Sequence, residues 1–433
     1  MITSVIGKLF LEAYNEKFGT HYDAKTFFIE IFYPLFFHRN KYMMTAGNSP
    51  LENPKISWEK MLQGKISYES SEQRQNRFEK LVKKIEGEEA DASIARGYFC
   101  ADVCATTSGQ VSDMCIDISI DDIYASWIGD ALGIGVQGGF CILFTQKNIL
   151  LDIYKGWWLY RQMLDSESKL KGNQINTWNG QWLSHYYDSY NYDEEVPMAG
   201  FFPTKAETSE LLSINTQTWT KILIGISRKY QEKKLLSYIY SIGQTNTTIG
   251  FIPFYLNEIR KPQQLYQKYF GIDNSRNAEL LWGGGIGFKT ACTQGVIGIK
   301  AMEPKGLKEY INNNKPPKAP KNEEEQININ VYKIWILAML NNEELWEKSL
   351  ELAEMLKDAS FDKDKSISTK RKNLVEQLLN ATKKMQFIAM ATEVIPFVNE
   401  KETFIEMVRE INRMSDENVP YFLTLLRFQY KTI

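Results

Sequence analysis

Residues 133 to 144 read Gly133-Ile134-Gly135-Val136-Gln137-Gly138-Gly139-Phe140-Cys141-Ile142-Leu143-Phe144, and the fold turns on how they are read. The first six match the Gly-x-Gly-x-x-Gly pattern of dinucleotide-binding folds, where a strand runs into a helix N-terminus that holds a pyrophosphate. Here the order is reversed. The helical spacing of Ile123, Trp127, Ile128, Ala131 and Leu132 precedes the glycines, with Asp121 as the expected N-cap. A short apolar run, Phe140 to Thr145, follows them as a buried strand. No acidic residue stands at a strand end about 20 residues further on, where a ribose would need one. A dinucleotide-binding fold is therefore set aside, and the expected fold class is α+β, a loop-rich, mostly helical part with a few strands followed by a helical bundle.

Working outward, Val5, Leu9, Ala13 and Phe18 predict a helix over 4–18 that stops at Gly19, and Asp23 caps a second helix with a kink or stop at Pro34. Residues 40–54 read as a loop and 70–85 as a charged helix. From Ser93 to Gly139 the composition shifts toward Gly, Ser, Thr and Asp, with a possible sub-boundary near 90–125. Residues 150–164 return to helical spacing. Residues 172–202 show no clear periodicity and read as a long, aromatic-rich functional loop. Residues 216–240 and 252–270 read as helices, and 296–302 as a strand.

The Pro, Asn and charge content of 312–328 marks a linker between a mixed, loop-rich part (1–311) and a helical bundle (329–433). Bundle helices are expected over 329–340, 343–356, 374–394, 402–414 and 421–428.

With 43% hydrophobic and 24% charged residues the chain has the composition of a folded protein, and its net charge of −2 gives no global attraction for nucleic acid. Any phosphate contact must come from local basic groups. The cysteines at 100, 104, 115, 141 and 292 and the three histidines at 21, 38 and 185 form no zinc pattern. No Gly-x-Ser-x-Gly elbow offers a nucleophile. No stretch reaches the ~18 to 20 apolar residues of a membrane helix, and no signal peptide is evident, so a cytoplasmic location without membrane contact is expected. No catalytic residue, metal or cofactor is expected.

Glutamine sits beside glycine at Gln63-Gly64, Gly109-Gln110, Gln137-Gly138, Gly180-Gln181, Gly243-Gln244 and Gln294-Gly295. Amides donate and accept without charge, and glycine permits close backbone approach. The expected nucleic-acid contacts are Gln137, Asn173, Gln174, Asn176, Asn179, Gln181, Gln244, Asn246, Lys289 and Gln294, with Lys370, Arg371 and Lys372 as a basic cluster in the bundle.

Gly283 to Thr290 resembles a phosphate loop, but Phe288 separates Gly287 from Lys289 where the lysine must follow directly. A metal-dependent nuclease centred on Asp273, Glu303 and Lys305 is the alternative, with Pro304 breaking the strand it needs. A protein–protein scaffold is the third.

The Gly-Gln-Asn loops, Lys289 on its glycine turn and helices ending Val419-Pro-Tyr-Phe-Leu-Thr-Leu-Leu-Arg427 resemble, in architecture, the large subunit of type I CRISPR surveillance complexes. That resemblance implies a non-enzymatic DNA-binding subunit of an antiviral defence complex, reading duplex DNA from the minor groove and partnered by protein subunits and a guide RNA complex.

Overall fold

Local signals place most of the helices. The structure, a computed structural model, describes all residues except 48, 53–54, 100–111, 113–116, 242–247 and 272–274. Gln244, Asn246, Asp273, Cys100, Cys104 and Cys115 thus lie outside the described residues. Helix α1 (Ile2–Phe18) ends at Gly19, whose φ of 64° is the left-handed value a helix stop uses. Asp23 caps α2 (Ala24–Phe27), its carboxylate accepting from the Thr26 N–H at 2.7 Å.

The chain then continues through a π turn (Phe28–Phe32) into α3 (Tyr33–Phe36). Pro34 lacks an N–H and its ring crowds the carbonyl four residues back. The wider turn just before it accommodates both, so of the expected kink or stop the chain takes neither a clean end nor a plain α turn, but stays helical through Pro34 by way of the π turn. After α4 (Lys55–Leu62), Ser70 and Gln73 form a capping box at the start of α5 (Ser71–Gly87). Helix α6 (Ile120–Ala131) is capped by Ser119, whose Oγ accepts from the Asp122 N–H at 3.1 Å; the expected cap, Asp121, instead pairs with Lys8 at 3.0 Å.

The glycine-rich stretch is an antiparallel hairpin. β1 (Ile134–Val136) and β2 (Phe140–Phe144) flank a turn in which Gly138 and Gly139 take φ of 97° and 77°. There follow α7 (Lys147–Ser166), α8 (Ile175–Tyr186), β3 (Thr204–Ala206), β4 (Leu212–Ile214), α9 (Trp219–Lys229), β5 (Leu235–Ser241) and β6 (Thr248–Phe254). One antiparallel sheet runs β1-β2-β5-β6; β3 and β4 pair separately. This is the expected α+β class.

Several readings are corrected. Residues 172–202 are not one long loop, because α8 occupies their first half with a nearly all-round buried surface that hides its periodicity. Residues 216–240 and 252–270 each combine a helix with a strand; in the first, Leu235 to Tyr240 is apolar on both faces and buried except at Leu236.

Beyond β6 the chain forms α10 (Leu256–Phe270), α11 (Ser275–Glu279), α12 (Phe288–Cys292), α13 (Leu307–Ile311), α14 (Glu323–Leu340), α15 (Glu344–Ser360), α16 (Lys365–Leu379), α17 (Lys384–Val394), α18 (Lys401–Arg413) and α19 (Val419–Thr432). The expected helix over 374–394 is thus two, α16 and α17, parted at 380–383. The expected strand over 296–302 reduces to a single bridge from Ile297 to Phe254, followed by a 3-10 turn.

Contacts divide the chain into two compact units, the first 1–256 with 288–297 and the second 257–287 with 298–433. The division falls at Leu256, well before the 312–328 segment. Residues 288–297 belong to the first unit because Phe288 packs on Phe140 at 5.8 Å and on Trp219 at 5.4 Å, while the Tyr255 N–H donates to the Ile297 carbonyl at 2.8 Å.

In the first unit α1 crosses α6 where Gly7 and Gly129 each face the other helix's backbone, and Phe10, Phe28, Phe32, Phe36, Trp127 and Trp157 fill the adjoining core. In the second, α19 packs against α14 and α15 through Phe422, Leu425, Leu426 and Phe428.

Candidate nucleic-acid interface

The glycines of the fingerprint-like motif serve helix–strand packing. A side chain on Gly135 would come within 3.1 Å of the Asn176 backbone, and one on Gly180 within 2.8 Å of the Gly135 carbonyl, so α8 lies directly on β1. This close approach lets α8 cap its neighbour. Asn176 Nδ2 donates to the carbonyls of Asp130 (3.1 Å) and Gly133 (2.9 Å), and Asn179 Nδ2 to those of Ala131 and Gly133, both at 2.8 Å. These carbonyls lie at and just beyond the C-terminal end of α6, where the regular helical hydrogen bonds run out.

Several amides expected to read bases are therefore engaged in holding the fold. Asn179 is fully buried and Asn176 half-buried, both spent on α6. Gln174 Oε1 accepts from the Ile214 N–H at 2.9 Å. Asn173 adopts a φ of 53°, and its N–H donates to the Tyr42 carbonyl. Gln181 is buried, its Nε2 bonded to the Asn215 carbonyl and its Oε1 accepting from Gln217 Nε2 at 3.0 Å. The reading of 172–182 as a base-contacting loop is corrected accordingly.

Two other members of the set, Gln137 and Lys289, lie on the surface at one end of the four-stranded sheet. Gln137, in the β1–β2 turn, is exposed; its N–H donates to the Gln217 carbonyl at 2.9 Å and its Nε2 to the Thr216 carbonyl at 3.2 Å. Phe288, seated on Phe140 and Trp219, brings Lys289 and Thr290 beside the same turn, both exposed. Gln294 is exposed five residues further along that segment. Ser241 pairs with Phe140, so β5 ends at this end of the sheet too. The residues gathered here are amides, hydroxyls, glycines and one lysine. Sequence reading missed 215–218 (Asn, Thr, Gln, Thr), which carries no Gly-Gln pair; its only signal was a polar run ahead of an amphipathic helix.

Beneath this surface the buried Asp130 carboxylate accepts from Arg96 Nε at 2.9 Å and from the Tyr240 hydroxyl at 3.0 Å, while Arg96 also donates to the Ala46 carbonyl at 3.1 Å. Each charged or polar group here has a partner, which marks the cluster as structural. Cys141 beside it is fully buried, and burial pushes its thiol far above the ordinary range, away from nucleophilic use. His185 Nε2 donates to the Pro197 carbonyl at 2.9 Å and its ring stacks on Phe201 at 4.3 Å, a packed histidine with its pKa lowered by burial.

In the second unit the glycine loop at 283–287 binds its own chain. The Gly283 N–H donates to the Met302 carbonyl at 3.0 Å and the Gly285 N–H to that of Glu303 at 2.8 Å, so these donors are not open to a phosphate. Glu303 is largely buried with its pKa raised by burial, Lys305 is exposed, and no group of three or more His, Cys, Asp or Glu that could hold a metal occurs among the described residues. In α16, Lys370 and Lys372 are exposed, but Arg371 is taken up by Asp362 at 2.9 Å and lies over the Phe397 ring. No helix among the described residues is long and apolar enough to cross a membrane.

No protein-family model, curated protein or solved structure matches the chain.

Proposed function

We propose that the protein is a non-enzymatic DNA-binding subunit that meets duplex DNA with the polar end of the four-stranded sheet. The observation that carries this reading is the placing, at one end of the sheet, of the exposed Gln137 with its two turn glycines, the exposed Lys289, and the 215–218 run, of which Asn215 is exposed and the other three half-buried. Uncharged donors and acceptors on glycine-rich turns suit the sugar–phosphate backbone and the base edges of a groove, and a single lysine supplies phosphate attraction without a strong global field. Its setting within an antiviral defence complex extends the proposal from the architectural resemblance, and Lys370 and Lys372 are assigned to non-specific phosphate contact in the second unit.

The test is a gel shift with duplex DNA in chelator, using the protein alone and with co-purified partners. Binding without cutting is expected. Lys289→Ala should weaken binding to every sequence and reduce the slope of log K against log salt by about 1, whereas Gln137→Ala should cost about 1 to 3 kcal/mol of discrimination between sequences. Absence of binding in both preparations would sink the proposal, and magnesium-dependent cleavage would move it to the nuclease built on Glu303.

A further inference from the structure

The most exposed large apolar side chain among the described residues is Phe202, 88% open to solvent. Its backbone is held on both sides. Before it, the Phe201 ring stacks on His185 at 4.3 Å and meets the buried Trp178 edge-on at 5.6 Å. After it, Pro203 is buried, and its carbonyl accepts from the Asn215 N–H at 2.7 Å, one residue ahead of the Thr204–Ile214 pair that opens β3. A ring on slack chain turns down onto the nearest apolar surface, whereas this one is kept in water between two fixed neighbours. The same bond to Asn215 fixes where the ring stands. Asn215 begins the 215–218 run, whose Thr216 and Gln217 carbonyls accept from the side-chain and backbone N–H groups of Gln137, so Phe202 adjoins the polar end of the four-stranded sheet. Beside it along and across the strands are Gly200, where an added side chain would meet nothing within 4 Å, the half-buried Thr204, and the exposed Lys205 and Asn215.

From this placement we infer that Phe202 is a wedge: when duplex DNA is bound, its ring enters between two adjacent base pairs, unstacks that step and bends the duplex. The inference rests on the duplex contact proposed above and names the DNA that this surface prefers, a duplex with a step that opens easily. A single ring projecting from amides, hydroxyls and a lysine matches a gap one base thick, with groove edges and phosphates on either side for the polar groups. A pocket on a partner protein would meet the ring with an apolar surround, and the residues around Phe202 are polar or glycine. Parting two stacked bases costs free energy, and a ring on loose chain would swing aside instead; the anchoring through Phe201 and Pro203 gives the stiffness a wedge needs. Pyrimidine–purine steps part most readily, and a mismatched base is already poorly stacked, so both should draw the protein.

The probes are short duplexes carrying aminopurine, whose fluorescence rises when it unstacks, placed in turn at a TA step and opposite a mismatch, and titrated with the full chain alone and with co-purified partners. Binding should raise the fluorescence at the TA step about threefold, and the mismatched duplex should bind about tenfold tighter than the matched one. Phe202→Ala, at an open position that leaves the fold intact, should abolish the rise and bind the two duplexes alike. Phe202→Leu should retain most of the rise, since an aliphatic side chain also parts a step. Duplex binding without any rise, or a rise and a mismatch preference that Phe202→Ala leaves unchanged, overturns the wedge while the duplex contact stands. Phe202-dependent preference for a single strand over both duplexes overturns it in favour of stacking on unpaired bases. Loss of a co-purified protein in Phe202→Ala with duplex binding unchanged overturns it in favour of a protein partner. Failure of the parent chain to bind any duplex is the separate outcome that removes the underlying reading, and the wedge with it.

Discussion

In the first unit the buried Arg96 guanidinium meets the Asp130 carboxylate at 2.9 Å, whereas in the second the buried Lys333 ammonium meets uncharged groups, the Gln429 amide oxygen at 2.9 Å, the Thr432 hydroxyl at 2.7 Å and the face of the Trp346 ring at 5.9 Å. Arg427, also in the second unit, has the Tyr310 carbonyl and the Thr424 hydroxyl for partners. The first arrangement ties four segments of an irregular fold together through matched charge; the second tolerates a cation at the seam of α14 and α19 without neutralising it. Breaking a matched pair strands a charge, while removing an unmatched one relieves a strain already present. The two units should therefore answer the same kind of substitution with opposite signs.

The largest effect is expected from Arg96→Ala, which leaves Asp130 buried without its counter-ion and should cost about 3 to 5 kcal/mol. Urea unfolding measures the loss, and hydrogen exchange should locate it in α6 and β5. A loss below about 1 kcal/mol would erase the contrast between the units.

Next comes the pH response of Lys333. Burial pulls its pKa from the ordinary lysine value down to about 8. The unfolded chain then holds the proton more tightly than the fold does, so stability rises with pH between the two values and is lowest below about 8. From pH 8 to 10 the rise from this residue should be about 2 kcal/mol. Lys333→Met should flatten that part of the profile and be at least as stable as the parent at pH 7. Lys41 in the first unit, also lowered to about 8 by burial, makes Lys41→Met the control that assigns each share of the rise.

The smallest effect should be the same in both units. Ser119→Ala at the start of α6 and Asn322→Ala at the start of α14 each remove one side-chain cap, worth about 1 kcal/mol. Similar losses would show that local terms are shared and that only the long-range polar contacts differ.

The same division between local and long-range explains what the sequence discloses. Gly19, Asp23, Ser70 and the bundle stripes act within one turn of chain, and the helices they mark are where their spacing puts them, except that the stripe over 374–394 runs across the break between α16 and α17. Of the hairpin at 133–144 only the apolar run from Phe140 marks a strand; Ile134 to Val136, three residues among glycines, is too short to carry a period of its own. Helix α8 escapes notice because Trp178 through His185 are buried in succession, leaving no polar face to set a period. β5 was hidden for the converse reason: Leu-Leu-Ser-Tyr-Ile-Tyr is apolar enough for either element, and its pairing with Phe140 to Phe144 lies about a hundred residues away in sequence. Of the site, Gln137, Lys289 and Gln294 were legible as exposed polar residues. That Asn176, Asn179 and Gln181 turn inward depends on carbonyls of α6 and of residue 215, which no local pattern reveals.

The segment 288–297 has a practical consequence for anyone who would divide this protein. A fragment ending at Leu256 keeps all six strands yet loses the Ile297 bridge to Phe254 and the Phe288 ring that sits on Phe140 and Trp219. It would present an unguarded strand edge and two uncovered aromatic rings, the ingredients of aggregation. A ten-residue peptide added back in trans is then a natural complement, and the first unit becomes a split protein whose reassembly can be switched on by supplying its missing strip.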